Sequence, residues 1–192
     1  FGSTIKLLGT EMARFGVETT FVSQTDIEAW KAAIKPNTRM LFAETPTNPL
    51  TDLCDIAALA ELAHANNALL AVDNSFATPV LQQPVKFGAD LVVHSGTKFL
   101  DGQGRVMAGA VCGTTALVDK VMGTFLRSGG LNIAHFKFNP RLGNGQICRP
   151  LFTAKAGERR LGQRPEGKMF HSRQRILFGQ QIVIVARHPL QR

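Results

Sequence analysis

His94-Ser95-Gly96-Thr97-Lys98-Phe99-Leu100-Asp101-Gly102-Gln103-Gly104-Arg105 follows directly on the apolar run Asp90-Leu91-Val92-Val93. An apolar strand that stops in hydroxyl, glycine, hydroxyl and lysine reads as a strand-to-loop junction in an α/β sheet. Twenty-five residues before Lys98, a second wholly apolar segment, Ala68 to Val72, ends in Asp73. A third strand, Arg39 to Glu44, runs into the turn Thr45-Pro46-Thr47-Asn48-Pro49. Strands apolar along their whole length are buried on both faces, which is the habit of parallel sheets. In open parallel sheets, ligands bind beyond the carboxyl ends of the strands. Glu44, Asp73 and the His94–Lys98 run all fall there.

The segments between these strands are helical. Ser3 to Phe15 spaces Ile5, Leu8, Met12 and Phe15 for one helix face, with Gly16 where the helix stops. Val17 to Val22 favours a strand. Thr25-Asp26-Ile27-Glu28 has the form of a capping box, with Thr25 as the cap of a helix reaching about Ile34, before Pro36. Asp55 to Asn66 is Ala- and Leu-rich and helical. Strands at 90–94 and 106–112 and a helix from Thr115 to about Leu126 complete the series. Alternation of this kind predicts an α/β fold with a mostly parallel sheet covered by helices.

After Gly130 the order fades. The chain carries a formal charge of +8, but residues 1–132 hold 10 Lys+Arg against 12 Asp+Glu, and residues 133–192 hold 12 against 2. The whole basic excess therefore lies in the last 60 residues. Only Gln181 to Ala186 reads as a strand there. Domain organisation is read as 1–130, the ordered α/β part, and 131–192, a basic tail. Hydrophobic content of 44% suffices for a core, and no apolar run is long enough to cross a bilayer. No signal-peptide pattern opens the chain, and the lack of an initiating methionine points to missing upstream sequence. Cys54, Cys112 and Cys148 are odd in number and widely spaced, so reduced thiols in a cytoplasmic protein are expected.

The chemistry follows from residue types. A lysine amine condenses with aldehydes and, once released, takes protons. A carboxylate beside a pyridine ring keeps its nitrogen protonated, and hydroxyls beside a glycine hold phosphate. Lys98, Asp73, Ser95 and Thr97 together meet the requirements of pyridoxal 5'-phosphate. A solvated lysine, a turn aspartate and ordinary loop hydroxyls are the bland alternatives for each residue singly. Asn48 is placed to reach the cofactor's phenolic oxygen or a substrate carboxylate, and Arg105 to hold an anion. His94 reads as a packed strand-end residue and Cys112 as core. No histidine has a metal-like partner at useful spacing.

With the motifs ETPTNP, AVDNSFATP and HSGTKFLDGQGR, residues 1 to about 130 resemble the Cys/Met-metabolism family of pyridoxal-phosphate enzymes. The Asp-Gly-Gln-Gly-Arg segment resembles its O-succinylhomoserine sulfhydrylase branch. The resemblance implies the large domain of the aspartate-aminotransferase fold type, incomplete at both ends, and a homotetramer in the intact family. It implies that Lys98 is the Schiff-base lysine, Asp73 the pyridinium partner, and Ser95 and Thr97 phosphate ligands. Phe1 falls where relatives place the aromatic that stacks on the cofactor ring, often a tyrosine. The implied reaction is γ-replacement, in which O-succinylhomoserine and sulfide give homocysteine and succinate. Cystathionine γ-synthase, γ-lyase and methionine γ-lyase activities, or an inactive fragment of such an enzyme, are the alternatives.

The break after Gly130 reads as a reading-frame change or a fusion. A genuine basic module binding nucleic acid is the competing view, but the arginines show no helical spacing or binding motif. Small molecules, and neither nucleic acid nor membrane, are therefore the expected partners.

Overall fold

The computed structural model describes residues 1–103, 107–121, 146–152 and 183–187, the last two stretches by their backbone. Among the described residues seven strands form one sheet: β1 Val17–Phe21, β2 Thr38–Glu44, β3 Leu69–Asp73, β4 Leu91–Ser95, β5 Ala108–Thr114, β6 Gln146–Phe152 and β7 Val183–Arg187. Their order is β1-β7-β2-β3-β4-β5-β6. β2, β3 and β4 are parallel neighbours. β7 runs antiparallel to both β1 and β2, and β5 antiparallel to both β4 and β6. The strands β1 to β4 and β6 thus share one direction, and β5 and β7 oppose it. This is the mostly parallel α/β sheet that the alternation predicts.

The helices are α1 Gly2–Lys6, α2 Ile27–Ala33, α3 Ile56–Ala65, α4 Thr78–Leu81 and α5 Thr115–Lys120. α1 continues through wider and then tighter turns to Phe15, and stops at Gly16, whose φ of 72° is left-handed. A glycine takes that conformation without a Cβ clash. α3 buries Ile56, Leu59, Ala60 and Ala63, the i, i+3, i+4, i+7 stripe of an amphipathic helix. That stripe packs on one face of the sheet, in a cluster with Leu41 and Ala43 of β2, Leu70 and Val72 of β3 and Val92 of β4. Trp30 of α2, fully buried, completes the cluster. On the opposite face Met40, Phe42 and Val93 are only half-buried.

Several expectations need correction. Asp26, and not Thr25, caps α2: its backbone is extended and its carboxylate accepts from the amides of Glu28 (3.0 Å) and Ala29 (3.1 Å). The longer Asp side chain reaches two free amides, while Thr25 Oγ1 sits 3.4 Å from Ser23 Oγ. The strand expected at 106–112 lies at 108–114, and the predicted end of α5 falls outside the described residues. β6 escapes sequence reading because Arg149 and Pro150 interrupt its apolar pattern. An edge strand tolerates that proline, since one row of its amides has no ladder partner. The reduced-thiol expectation holds for Cys54, which is free, and fails for Cys112, which is disulfide-bonded. The β5–β6 register sets Cys148 opposite Cys112, a proximity that sequence separation hides.

Candidate active site

The parallel register aligns the polar ends of the strands. Glu44 stands opposite Asp73 across β2 and β3, and Asp73 opposite Val93 across β3 and β4, two residues before Ser95. Sequence positions 44, 73 and 95 are thereby brought to one sheet edge. Lys98 follows three residues beyond Ser95, in a turn whose backbone leaves helical geometry at Lys98 itself (φ −88°, ψ −121°). Gly96 lets that turn lie against β5: a Cβ there would meet Ala108 Cβ at 2.8 Å.

Lys98 Nζ lies 5.0 Å from the centre of the Phe1 ring and 5.2 Å from that of Phe76. Aromatic faces at this range attract an ammonium and shield it from water. Phe76 in turn meets Phe99 edge-on at 6.0 Å. The Phe1 amino group pairs with Glu44. Phe1 and Lys98, far apart in sequence, are therefore together at the site.

Asp73 is half-buried, and its Oδ1 accepts from the Ser75 amide (3.0 Å) and the Ser75 hydroxyl (2.6 Å). The same hydroxyl accepts from the Ser95 amide at 2.7 Å, so Ser75 ties the end of β3 to the end of β4. Both Ser75 bonds to Asp73 fall on Oδ1, and none is made by Oδ2 among the described residues. Thr97 Oγ1 accepts from the Ala108 amide at 2.9 Å and lies 3.4 Å from the Ala108 carbonyl. Its hydroxyl is thus held against β5 while its proton makes only a long bond. Asn48 sits between two cis prolyl bonds, Thr45-Pro46 and Asn48-Pro49. The turn around it is held by buried Thr45 and Thr47, whose hydroxyls accept from Cys54 N–H (3.3 Å) and Asp52 N–H (2.9 Å). Arg105 lies outside the described residues.

Sequence reading missed Ser75 and Phe76, although both lie inside the AVDNSFATP motif. Their role depends on which atoms they touch, and no spacing rule carries that. His94 is buried, as a packed residue would be; burial lowers its pKa, against a backbone hydrogen bond to Asn74 and the charge of Asp73. Cys54, beside the Asn48 turn, has its thiol pushed up to about 11, chiefly by burial. Among the described residues, no group of three His, Cys, Asp or Glu side chains could hold a metal ion. No helix among them is long and apolar enough to cross a membrane.

A primary amine, a carboxylate, an aromatic ring and a hydroxyl-bearing loop at one sheet edge are the donor set that a phosphorylated pyridine aldehyde needs. The fit is good at the ring and lysine. Comparison with known proteins points the same way. The chain is 54% identical over 136 residues to O-succinylhomoserine sulfhydrylase of Pseudomonas aeruginosa, which covers 71% of this chain and 34% of that protein. It is 48% identical over 123 residues to L-methionine gamma-lyase of Treponema denticola, covering 63% and 31%. Cystathionine gamma-lyase from Lactobacillus plantarum, solved with L-serine, superposes with a TM-score of 0.61 at 40% identity, over 64% of this chain and 32% of that one. The chain spans about a third of the length of the curated relatives it matches. Residues 1–138 match the profile of the Cys/Met metabolism PLP-dependent enzymes, and the chain belongs to that family.

Proposed function

We propose that the site serves pyridoxal-phosphate-dependent γ-replacement in methionine biosynthesis, with O-succinylhomoserine and sulfide giving homocysteine and succinate. The observation that carries this reading is the placement of Lys98 Nζ over the rings of both Phe1 and Phe76, at the sheet edge that also bears Asp73. Similarity to the Pseudomonas sulfhydrylase supports the choice of reaction. Elimination of the methionine γ-lyase type is the second reading, favoured by the 48% identity to the Treponema enzyme.

In this reading Lys98 would hold the cofactor and, once released from it, take the substrate's α-proton onto its Nζ. The cofactor, when bound, supplies the electron sink for the carbanion. Asp73 Oδ2 holds the proton on the ring nitrogen while Ser75 fixes Oδ1. Phe1 stacks on the ring, and with Phe76 it keeps water from the lysine. Ser95 and Thr97 donate to phosphate, Asn48 orients the phenolic oxygen or a carboxylate, and Arg105 holds an anionic group of the substrate. A cytoplasmic homotetramer is the assembly that goes with this function. The family match ends at residue 138, eight residues beyond the break read after Gly130, and an end so near that break supports a reading-frame change or fusion as the origin of the basic tail.

The test is an absorbance titration of the purified chain with pyridoxal phosphate, wild type against Lys98→Ala. A visible band present in the wild type and lost in the variant is expected. A band of equal size in both would place the reactive amine elsewhere. Sulfide-dependent release of succinate then separates replacement from elimination.

A further inference from the structure

Gln82 follows α4, and its side-chain amide folds back onto the site's foundations. Its Nε2 donates to Asn74 Oδ1 at 2.8 Å and to the Thr45 carbonyl at 2.9 Å. Asn74 Nδ2 returns a bond to the Gln82 carbonyl at 2.8 Å. Asn74 is fully buried and Thr45 almost so. Both ends of this ring are tied to the strands: the Asn74 amide donates to the Val93 carbonyl (2.8 Å) and the Thr45 amide to the Asp73 carbonyl (3.3 Å). One glutamine amide therefore closes a circuit through the carboxyl ends of β2, β3 and β4.

The backbone that delivers Gln82 supports the same point independently. Thr78 has φ of 60°, a left-handed conformation that a β-branched residue adopts at a cost. Its amide donates to the Asn74 carbonyl at 3.0 Å, and its carbonyl accepts from the Gln82 amide at 3.1 Å. The strained residue is thus the bend that returns the chain from Asn74 to Gln82. Strain of this kind persists where the surroundings over-determine it, and it gathers at functional sites.

We propose that Gln82 is a positioning residue for the cofactor site, acting through Asn74 and Thr45 without touching the cofactor. It fixes the backbone at Asp73, which sets the carboxylate. It also fixes the start of the turn bearing Asn48. The part of this proposal that concerns the cofactor rests on the pyridoxal-phosphate reading above; the part that concerns the strand ends does not. Replacing the amide with an apolar chain leaves two buried acceptors, Asn74 Oδ1 and the Thr45 carbonyl, without their donor.

The experiment uses the full chain as wild type, Gln82→Met and Gln82→Glu, two side chains of similar length that lack the amide donor. Amide exchange of the unliganded protein is measured alongside titration with pyridoxal phosphate. Protection of the Thr45 and Asn74 amides should fall by about tenfold or more, while the α3 amides at Leu59 and Ala63 keep wild-type protection. The dissociation constant for pyridoxal phosphate should rise by a similar factor, about tenfold. Unchanged protection at Thr45 and Asn74 overturns the proposal, as does loss that spreads equally into α3, or local loss with unchanged cofactor affinity. Should Gln82→Met not fold, Gln82→Glu decides by the same criteria. If the wild type shows no Lys98-dependent band, the functional reading fails and the exchange comparison alone decides whether Gln82 fixes the strand ends.

Discussion

The core beneath α3 and the carboxyl edge of the same strands are built on opposite rules. Beneath α3 the contacts are apolar: Leu41, Ala43, Leu70, Val72 and Val92 meet Trp30, Leu59 and Ala63 with few polar atoms to satisfy. A few residues along the same strands, burial continues but the groups turn polar, with Glu44, Thr45, Thr47, Asn74, Ser75 and His94 all buried. Nearly every polar atom there has a partner, and those partners are one another: Ser75 with Asp73 and Ser95, Gln82 with Asn74 and Thr45. Apolar packing is non-directional and tolerates exchange of similar volumes. A buried polar network specifies geometry and tolerates little. The core holds the strands; the edge aims the side chains.

The largest effect that separates the two regions is expected from Trp30→Ala. Trp30 is fully buried, and its only polar atom makes a long bond, 3.4 Å, to the Gln24 carbonyl. Its contribution is therefore packing, and the cavity left should cost about 3–5 kcal/mol. Urea denaturation of the variant checks this. A loss below about 1 kcal/mol would mean that the region collapses freely onto the gap and is not the tightly filled core described above.

His94 sits where the two regions meet, and its pH dependence sharpens the contrast. Burial lowers its folded pKa below the ordinary value of 6.5, and its Nδ1 is a buried nitrogen without a hydrogen-bond partner. As pH falls below 6.5 the unfolded chain takes up a proton that the fold still refuses. The contribution of His94 to stability is therefore greatest above 6.5, falls as pH drops through that value, and levels off once the folded ring also protonates. Unfolding free energies at pH 7.5 and 5.5 should diverge more for the wild type than for His94→Gln. Equal divergence would show that the site at the edge admits the charge, as an exposed ring does.

The same contrast decides what was legible in the sequence. Asp55 to Asn66 announces α3 by its Ala- and Leu-rich composition, and Ala68–Val72 announces a buried strand by its own. Asp73, Ser95, Thr97 and Lys98 fall at one edge because parallel strands align their ends. Ser75 and Gln82 were not legible, because a hydrogen-bond circuit has no period. Thr25 was mistaken for a cap because Thr25 and Asp26 are both cap-forming residue types one position apart, and only backbone conformation chooses between them. β7, at Val183–Arg187, falls where the apolar run Gln181 to Ala186 predicts a strand, whereas β6 joins the sheet through long-range backbone pairing that its interrupted pattern does not announce.

The smallest effect tests that one-residue choice and bears on the core as well. Asp26 satisfies two free amides of α2, and Trp30 N–H donates to the Asp26 carbonyl at 3.3 Å, so the cap sits one turn below the largest core side chain. Asp26→Ala should cost about 1 kcal/mol, the usual worth of a lost N-cap. Thr25→Ala should stay within about 0.5 kcal/mol, since its hydroxyl touches only Ser23. Lys31→Ala should be as mild, within about 0.5 kcal/mol, because its pair with Glu28 at 2.7 Å lies in solvent. If Thr25→Ala cost more than Asp26→Ala, the helix would begin one residue earlier.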